Sequence, residues 1–259
     1  MTFHQSAGLC YYTFESFDRY GLVHGLFTRH GGVSPTPWHS LNLGGTTGDS
    51  RENVIENRKR IFDVMGRKVE TIYDAWQVHG THVICTDRPR PLDGAHEKAD
   101  SIITSSRDVT LFMRFADCVP VFLFDPVKAV IGIVHAGWRG TVDRAPAAAV
   151  ERMAQQYGSR PGDILAGIGP SICVDHFEVG REVVEAVCRT FGPKASSLLK
   201  IRGGSNYFDL WKANQLTLEE CGVRKIEQSC ICTFCHNEDW YSHRAEKGKT
   251  GRYGALLAL

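Results

Sequence analysis

Residues 109–135 read VTLFMRFADCVPVFLFDPVKAVIGIVH, and this stretch decides the fold. It holds three apolar runs, at 109–115, 119–124 and 129–135, and the turn Asp125-Pro126 separates the last two. Valine, isoleucine, leucine and phenylalanine follow one another with almost no polar alternation, which is typical of strands buried on both faces. The sequence therefore predicts that the three runs are strands at the centre of a sheet.

Strand-like and helix-like segments alternate along the rest of the chain. Helical spacing of apolar residues, together with capping residues, predicts helices at 50–65, 141–157, 179–191 and 210–221. Pro146 has to lie in the first turn of its helix, where a missing N–H costs little. Further strands are predicted at 22–28, 71–76, 83–86, 99–104, 164–168 and 226–233. No internal repeat and no long linker divides the 259 residues, so we expect a single α+β domain spanning 1–259.

The composition is that of an ordinary globular protein, with 42% apolar and 23% charged residues. A formal net charge of +1 suggests no polyanion-binding surface, so we expect no nucleic-acid partner. Residues 1–12 lack the basic and apolar regions of a secretory signal. Charged residues interrupt even the most apolar region, 111–134, so it does not supply the roughly 20 apolar residues of a membrane span. We expect a cytoplasmic protein with no membrane partner.

Nine cysteines are scattered along the chain, an odd number that does not suit a disulfide scaffold. In a reducing compartment such cysteines are free thiols, small buried side chains, or metal and catalytic groups. One group consists of Cys230, Cys232 and Cys235, followed by His236. The group also matches the pattern for covalent haem attachment, but that modification needs export. A second structural zinc site, a redox pair and buried thiols that close the last strand are the interpretations left open.

Three short segments each carry a metal-ligating side chain beside an apolar run. His79 lies in the segment QVHG, Cys118 begins the second run, and His135 ends the third run. Zinc binds imidazole nitrogen and thiolate sulfur, and catalytic zinc sites keep three protein ligands with an open fourth position. The separations of 39 and 17 residues suit ligands that adjacent strands bring together. We predict that the three residues meet around one zinc ion; the alternative is a core cysteine and two unrelated strand-end histidines.

The same residues also allow an enzyme that works without a metal. Cys118 would then be the nucleophile and His135 its base, as in a cysteine hydrolase. Such a dyad reacts with alkylating agents and needs no zinc. Metal content therefore separates the two interpretations.

Basic side chains lie near glycines in several loops. Arg29 sits in the Gly/Pro/Ser-rich segment 22–45, which is either a plain surface connection or a substrate loop. Arg139 and Arg244 are further candidates, because an arginine can grip a phosphate through two parallel hydrogen bonds. Most arginines are simply solvated charges, but Arg139 directly follows Trp138 beside His135.

Several ordered motifs resemble those of the laccase-domain family, first called multicopper polyphenol oxidases. Its members are described as zinc-dependent purine nucleoside phosphorylases with adenosine deaminase and methylthioadenosine phosphorylase activity, and some bacterial members are called peptidoglycan editing factors. The resemblance covers nearly the whole chain, and the matching motifs are FTRHGGVS (27–34), SLNLG (40–44), QVHG (77–80), ADCVPV (116–121), VHAGWRG (134–140), GPSI (169–172), SHR (242–244) and TGR (250–252).

The resemblance implies both a fold and a site. The implied fold is mixed β-sheets packed as a sandwich with flanking helices. The implied zinc ligands, which are also the catalytic residues, are His79, Cys118 and His135. Members often carry an aromatic residue where His243 stands, so that residue is given no role. Within and beside the motifs, substrate binding is assigned to Arg29, Asn42, Gln77, Trp138, Arg139 and Arg244.

The implied reactions are phosphorolysis of adenosine, inosine, guanosine and methylthioadenosine to base and ribose 1-phosphate, and deamination of adenosine to inosine. The expected partners are purine nucleosides and phosphate, and the expected state is a monomer or weak homodimer. One alternative is a peptidoglycan-precursor editing hydrolase that uses the same cleft. Another is a polyphenol oxidase with copper at the zinc site, since copper binds such sites more tightly. A multicopper oxidase typically needs His-x-His pairs, however, and none of the eleven histidines forms one.

Overall fold

Two six-stranded mixed sheets form the centre of the protein. The computed structural model describes all 259 residues. The strand order in the first sheet is β1 (Thr2–Ser6), β2 (Leu9–Thr13), β3 (Val23–Phe27), β15 (Tyr253–Ala258), β7 (Thr110–Phe115) and β4 (Ile72–Tyr73). The order in the second sheet is β14 (Lys225–Gln228), β10 (Leu165–Ile168), β8 (Val119–Asp125), β9 (Val130–Ala136), β6 (Ser101–Thr104) and β5 (Val83–Cys85). Neighbouring strands are antiparallel except at three edge pairs, β4 with β7, β14 with β10 and β5 with β6.

Six α-helices and a small third sheet complete the fold. The helices are α1 (Glu15–Asp18), α2 (Arg51–Val64), α3 (Trp138–Val142), α4 (Ala145–Tyr157), α5 (Arg181–Phe191) and α6 (Leu210–Glu220). The small sheet has the order β11 (Glu178–Val179), β13 (Ser205–Phe208) and β12 (Leu199–Arg202). No helix combines the length and the hydrophobicity that crossing a bilayer requires.

The two large sheets pack face to face, and helices cover both outer faces. In β8, Phe122 packs between the sheets, whereas its neighbours Val121 and Leu123 belong to the cluster that includes α4 and α6. In β7, Phe112 points the other way, into the cluster with α2. This alternation follows from the two-residue period of a strand. The structure confirms the α+β sandwich, and its four layers explain why the central strands are apolar on both faces.

The three apolar runs do not all lie in one sheet, so that expectation was wrong. Strand β7 belongs to the first sheet, where β15 pairs with it from the far end of the chain. Strands β8 and β9 pair with each other in the second sheet. A strand buried on both faces has the same composition in either layer, so the sequence pattern does not distinguish the two positions.

The helix predicted at 141–157 is in fact two helices. Residue Arg144 adopts a left-handed conformation with φ of 62°, and this ends the helical conformation between α3 and α4. Pro146 then lies in the first turn of α4, where it was expected. The break lets α3 begin directly after β9, beside His135.

Two predicted strands are much shorter than expected. Only Ile72–Tyr73 of the segment 71–76 is a strand, and the last strand of the second sheet ends at Gln228 instead of residue 233. The residues beyond these ends form loops. Those loops carry His79 in one case and Cys230, Cys232 and Cys235 in the other.

Candidate metal centre and cavity

The structure brings His79, Cys118 and His135 together. Their ligand atoms all lie within 4.8 Å of one another. Cys118 Sγ is 3.9 Å from His79 Nε2, and the centroids of the two imidazole rings are 4.9 Å apart. Cys118 and His135 come from the paired strand ends of β8 and β9, as expected, but His79 comes from a loop and has φ of 62°.

Asp100 holds two of these three residues in place. Its side chain is fully buried directly before β6. Oδ1 accepts hydrogen bonds from His135 Nδ1 at 2.8 Å and from the His79 backbone N–H at 3.0 Å. Oδ2 accepts from the N–H groups of Val78 at 3.1 Å and Gly80 at 2.7 Å. Because Nδ1 of His135 donates to the carboxylate, Nε2 is left as the ligand atom, which is the usual arrangement at zinc sites.

The same contacts tune the charges of Cys118 and His135. Burial alone would raise the pKa of the Cys118 thiol, but the charge and hydrogen bonding of His135 and His79 lower this pKa to about 6. Burial would lower the pKa of His135, but the Cys118 thiolate and Asp100 raise it to about 9. In the metal-free protein the pair is therefore a thiolate beside an imidazolium at neutral pH.

Gly137 borders the space between the three side chains. A Cβ added at Gly137 would lie 2.8 Å from His79 Cδ2 and 3.0 Å from Cys118 Sγ. Glycine at this position therefore leaves room for the donors to converge. Two imidazoles and one thiolate suit zinc, and the same set also occurs at copper sites.

A cavity of about 1220 Å³ opens from the three donors. It extends from the metal centre to α2, and basic side chains outnumber acidic ones along its wall. The arginines and lysines that line it are Arg51, Arg58, Lys59, Arg67, Lys68, Arg90, Arg114, Arg139, Arg244 and Arg252. The cavity is therefore suited to an anionic ligand, although the whole chain is close to neutral.

Four of the residues expected to bind substrate line this cavity. Arg139 lies over the ring of Trp138, with the guanidinium carbon 4.5 Å from the ring centroid, and it makes no side-chain hydrogen bond within the protein. Arg244 uses one nitrogen on the carbonyl of Glu178 at 3.0 Å. Gln77 also borders the cavity, but its amide exchanges hydrogen bonds with the backbone of Arg114 in β7.

Arg29 and Asn42 do not line the cavity, and the structure gives both a structural role. The Arg29 guanidinium donates to the carbonyls of His39 and Asn237 and pairs with Glu246 at 3.1 Å. Asn42 is fully buried, and its side chain bonds the loop that includes Asp49. These side chains are already used in joining loops, so the arrangement does not support the substrate contacts expected for them.

Two residues of the site were not singled out from the sequence. Nothing in the sequence marked Asp100 as a functional residue, because a carboxylate at the start of a predicted strand is common. Arg252 was noted only as part of the TGR motif, yet it lines the cavity close to Cys118. Burial lowers the pKa of Arg252, and the charges of Cys118 and Asp117 act in the opposite direction. One terminal nitrogen of Arg252 donates to the carbonyls of Thr250 and Gly251, and its other two guanidinium nitrogens make no hydrogen bond within the protein.

Asp117 and His82 lie close to the donors in the sequence but are not part of the donor group. Asp117 accepts hydrogen bonds from Thr233 Oγ1 at 2.7 Å and from the Arg244 backbone N–H at 2.7 Å, so it orients two loops, and it is not one of the metal donors. His82 is exposed and lies 3.9 Å from Glu97. Only His79 of the two nearby histidines faces the site.

The second cysteine cluster in the structure differs in membership from the group singled out in the sequence. Cys232 and Cys235 cluster with Cys173 and His176, while Cys230 and His236 are not part of the cluster. Cys173 and His176 escaped notice because they precede the group by more than fifty residues.

The comparisons with known proteins agree with this architecture. The family model described as "Multi-copper polyphenol oxidoreductase laccase" matches residues 23–259. A protein of Bacillus subtilis named purine nucleoside phosphorylase YlmD is 36% identical over 248 residues, covering 92% of this chain and 88% of that protein. A purine nucleoside phosphorylase of Deinococcus radiodurans is 38% identical over 238 residues, covering 92% and 89%.

The fold is also that of solved structures. The crystal structure of YlmD from Geobacillus stearothermophilus superimposes with a TM-score of 0.91 at 33% identity, covering 99% of this chain and 98% of that one. Sequence and structure thus agree over nearly the full length. The chain belongs to the multi-copper polyphenol oxidoreductase laccase family, as its motifs indicated.

Proposed function

We propose that this protein is a zinc-dependent purine nucleoside phosphorylase that also deaminates adenosine. The proposed zinc ligands are His79, Cys118 and His135, and the proposed substrates are adenosine, inosine, guanosine and methylthioadenosine. The observation that carries the proposal is the position of the three donors in the wall of a basic cavity. The printed names of the bacterial relatives support the phosphorylase half.

Phosphorolysis needs a bound phosphate beside the sugar. Phosphate attacks C1′ of the ribose, the glycosidic C–N bond breaks, and the departing base gains a proton. The best candidates to hold the phosphate are arginines that keep at least two guanidinium nitrogens free of hydrogen bonds within the protein. Arg139, Arg244 and Arg252 meet this condition, whereas Arg114 spends its nitrogens on Gln77, Asp74 and Ala75. An arginine presents paired N–H groups that match the oxygens of a phosphate.

Deamination needs water to attack the purine ring and ammonia to leave. A zinc ion held by His79, Cys118 and His135 would supply a Lewis acid able to activate water at neutral pH. Asp100 keeps His135 in the tautomer that leaves Nε2 available, and it fixes the His79 loop through backbone hydrogen bonds. The partly exposed ring of Trp138 offers an apolar surface against which a base can stack.

Product analysis with matched histidine variants tests the proposal. Zinc-loaded protein is incubated with adenosine, with and without phosphate, and the products are separated by chromatography. We expect adenine only when phosphate is present and inosine in both cases. In His79→Ala both products should fall to background, while His82→Ala, which alters an exposed histidine outside the site, should match the wild type. The proposal fails if the wild type forms neither product, or if the two variants are equally active.

A cysteine hydrolase is the second candidate function, because Asp100, His135 and Cys118 form a series of acid, base and thiol. The Cys118 pKa of about 6 makes the thiol a thiolate at neutral pH in the metal-free protein. Acyl substrates, including peptidoglycan precursors, would then be cleaved by chelator-treated protein, and iodoacetamide would abolish that cleavage. Turnover that appears only with zinc excludes this candidate. Oxidation of a phenol by copper-loaded protein would instead support the polyphenol oxidase alternative.

A further inference from the structure

Four side chains outside the cavity form a second cluster of metal donors. They are Cys173, His176, Cys232 and Cys235, and their ligand atoms all lie within 4.8 Å of one another. Nδ1 of His176 is 3.4 Å from the sulfurs of Cys173 and Cys235 and 4.0 Å from that of Cys232. Three sulfurs therefore surround one imidazole nitrogen.

We propose that these four residues bind a structural zinc ion. In a tetrahedral site with zinc–sulfur bonds of about 2.3 Å and zinc–nitrogen bonds of about 2.0 Å, sulfur and nitrogen lie about 3.5 Å apart. The three measured sulfur–nitrogen distances bracket that value. A set of three cysteines and one histidine also fills all four positions and leaves none for substrate or water, which distinguishes structural zinc sites from catalytic ones.

Two backbone N–H groups point at the sulfur of Cys232. Its sulfur accepts the backbone N–H of Cys173 at 3.3 Å and that of Cys235 at 3.5 Å. Such N–H···S hydrogen bonds stabilise negative charge on a metal-bound sulfur. The ring of Phe234 stacks on His176, with centroids 4.2 Å apart, and this contact holds the imidazole facing the thiols.

Each of the two chain segments that form the cluster has the ligand spacing of a metal site. Cys173 and His176 are separated by two residues, and so are Cys232 and Cys235. A two-residue gap lets one tight turn present both of its ligands to the same ion. A disulfide would use only two of the three sulfurs and would not account for the histidine that faces all of them.

The zinc ion would join two loops that support the cavity. Ser171 and Cys232 form a β-bridge between the loops. The first loop donates from Ile172 N–H to the Asp117 carbonyl, and the second donates from Thr233 to the Asp117 carboxylate. Asp117 directly precedes Cys118. The second site would therefore stabilise the position of the first without sharing a ligand with it.

Metal analysis of paired variants tests this second site. Each variant is purified with zinc, dialysed, and assayed for zinc per chain by elemental analysis. We expect two zinc ions in the wild type and one in Cys235→Ser, because that variant loses a ligand of the second site only. Cys230→Ser should keep two, since Cys230 is an exposed cysteine outside the cluster. His79→Ala should keep one, and that remaining ion reports on the second site alone.

The absorption spectrum of bound cobalt shows which types of atom coordinate the metal, and this measurement needs no cysteine variant. Cobalt-loaded His79→Ala should show intense thiolate-to-cobalt charge-transfer absorption and the visible bands of tetrahedral cobalt. The proposal is overturned if His79→Ala binds neither zinc nor cobalt in this way. It is equally overturned if mass spectrometry of unreduced wild type shows a disulfide within the cluster.

Discussion

A single buried carboxylate organises the candidate metal centre. Asp100 contacts His135 through its ring and His79 through its backbone, so one side chain sets the positions of two donors from different parts of the chain. Sequence reasoning identified the three donors because each lies in a short motif beside an apolar run. It missed Asp100 because a carboxylate before a strand is common, and only the folded chain brings the QVHG loop to it.

Gly137 gives a prediction that separates the metal site from general stability. Its φ of −69° is open to alanine, so Gly137→Ala adds no backbone strain, but the new Cβ meets His79 and Cys118. We expect zinc affinity to fall by about 10 to 100-fold, the range seen when the support of metal ligands is disturbed. The thermal unfolding midpoint of the metal-free protein should change little. Competition with a fluorescent chelator measures the affinity.

Gly45→Ala is the matched control for that variant. Gly45 also lines the cavity, but a Cβ there meets nothing within 4 Å. We expect wild-type zinc affinity in this variant. Equal affinities in the two alanine variants would show that the space at Gly137 does not control metal binding.

At the level of elements, one ion network joins β4, β7 and α2. Asp74, directly after β4, is fully buried and pairs with Arg90 at 2.9 Å, Arg114 at 3.1 Å and Arg58 at 3.6 Å. His96 also lies 3.1 Å from the carboxylate. Asp74→Asn leaves these cations without their common partner, so we expect a loss of about 3 to 5 kcal/mol of unfolding free energy at pH 7. Urea unfolding followed by circular dichroism gives this value.

The pH dependence of the same variant has a definite sign. Burial would raise the pKa of the Asp74 carboxyl, but His96 and the charges of Arg114 and Arg58 hold this pKa well below its usual range. The contribution of Asp74 is therefore complete above the unfolded pKa of about 3.9 and declines as the pH falls further. The stability difference between wild type and Asp74→Asn should shrink below about pH 4. Asp163→Asn, which alters a surface pair with Arg160, should cost less than about 1 kcal/mol throughout. Similar losses in both variants would contradict this account.

Elements were predicted well where local chemistry fixes them. Ser50 and Asp209 cap α2 and α6 through their side chains, and both helices begin within one residue of their predicted starts. The break at Arg144 was missed, because an arginine in the left-handed region carries no composition signal. Its side chain pairs with Glu220 at the end of α6, a contact that exists only after the helices have packed.

For the whole molecule, composition predicted the class but not the arrangement of the layers. The apolar runs required buried strands, and a chain with strands buried on both faces needs a further layer outside each sheet. The sequence could not show that β7 pairs with β15 from the C-terminus, because strand pairing over such a separation depends on the packing of all four layers. The cavity also depends on the packing of all the layers, because its walls come from α2, β7, α3 and the C-terminal loops.

The charge of that cavity predicts stabilisation of the whole protein by phosphate. A ligand that binds only the folded state at about 100 times its dissociation constant adds about 2.7 kcal/mol, which raises the unfolding midpoint of a chain this size by about 5 to 10 °C. Differential scanning fluorimetry in phosphate, against chloride at equal ionic strength, measures the shift. Arg139→Ala should lose at least half of it, because that guanidinium lines the cavity and makes no hydrogen bond or ion pair within the protein. Arg181→Ala, which alters another exposed arginine that pairs only with Glu185 on α5, should keep the full shift. If phosphate and chloride act alike on the wild type, or if both variants keep the full shift, Arg139 does not belong to an anion site.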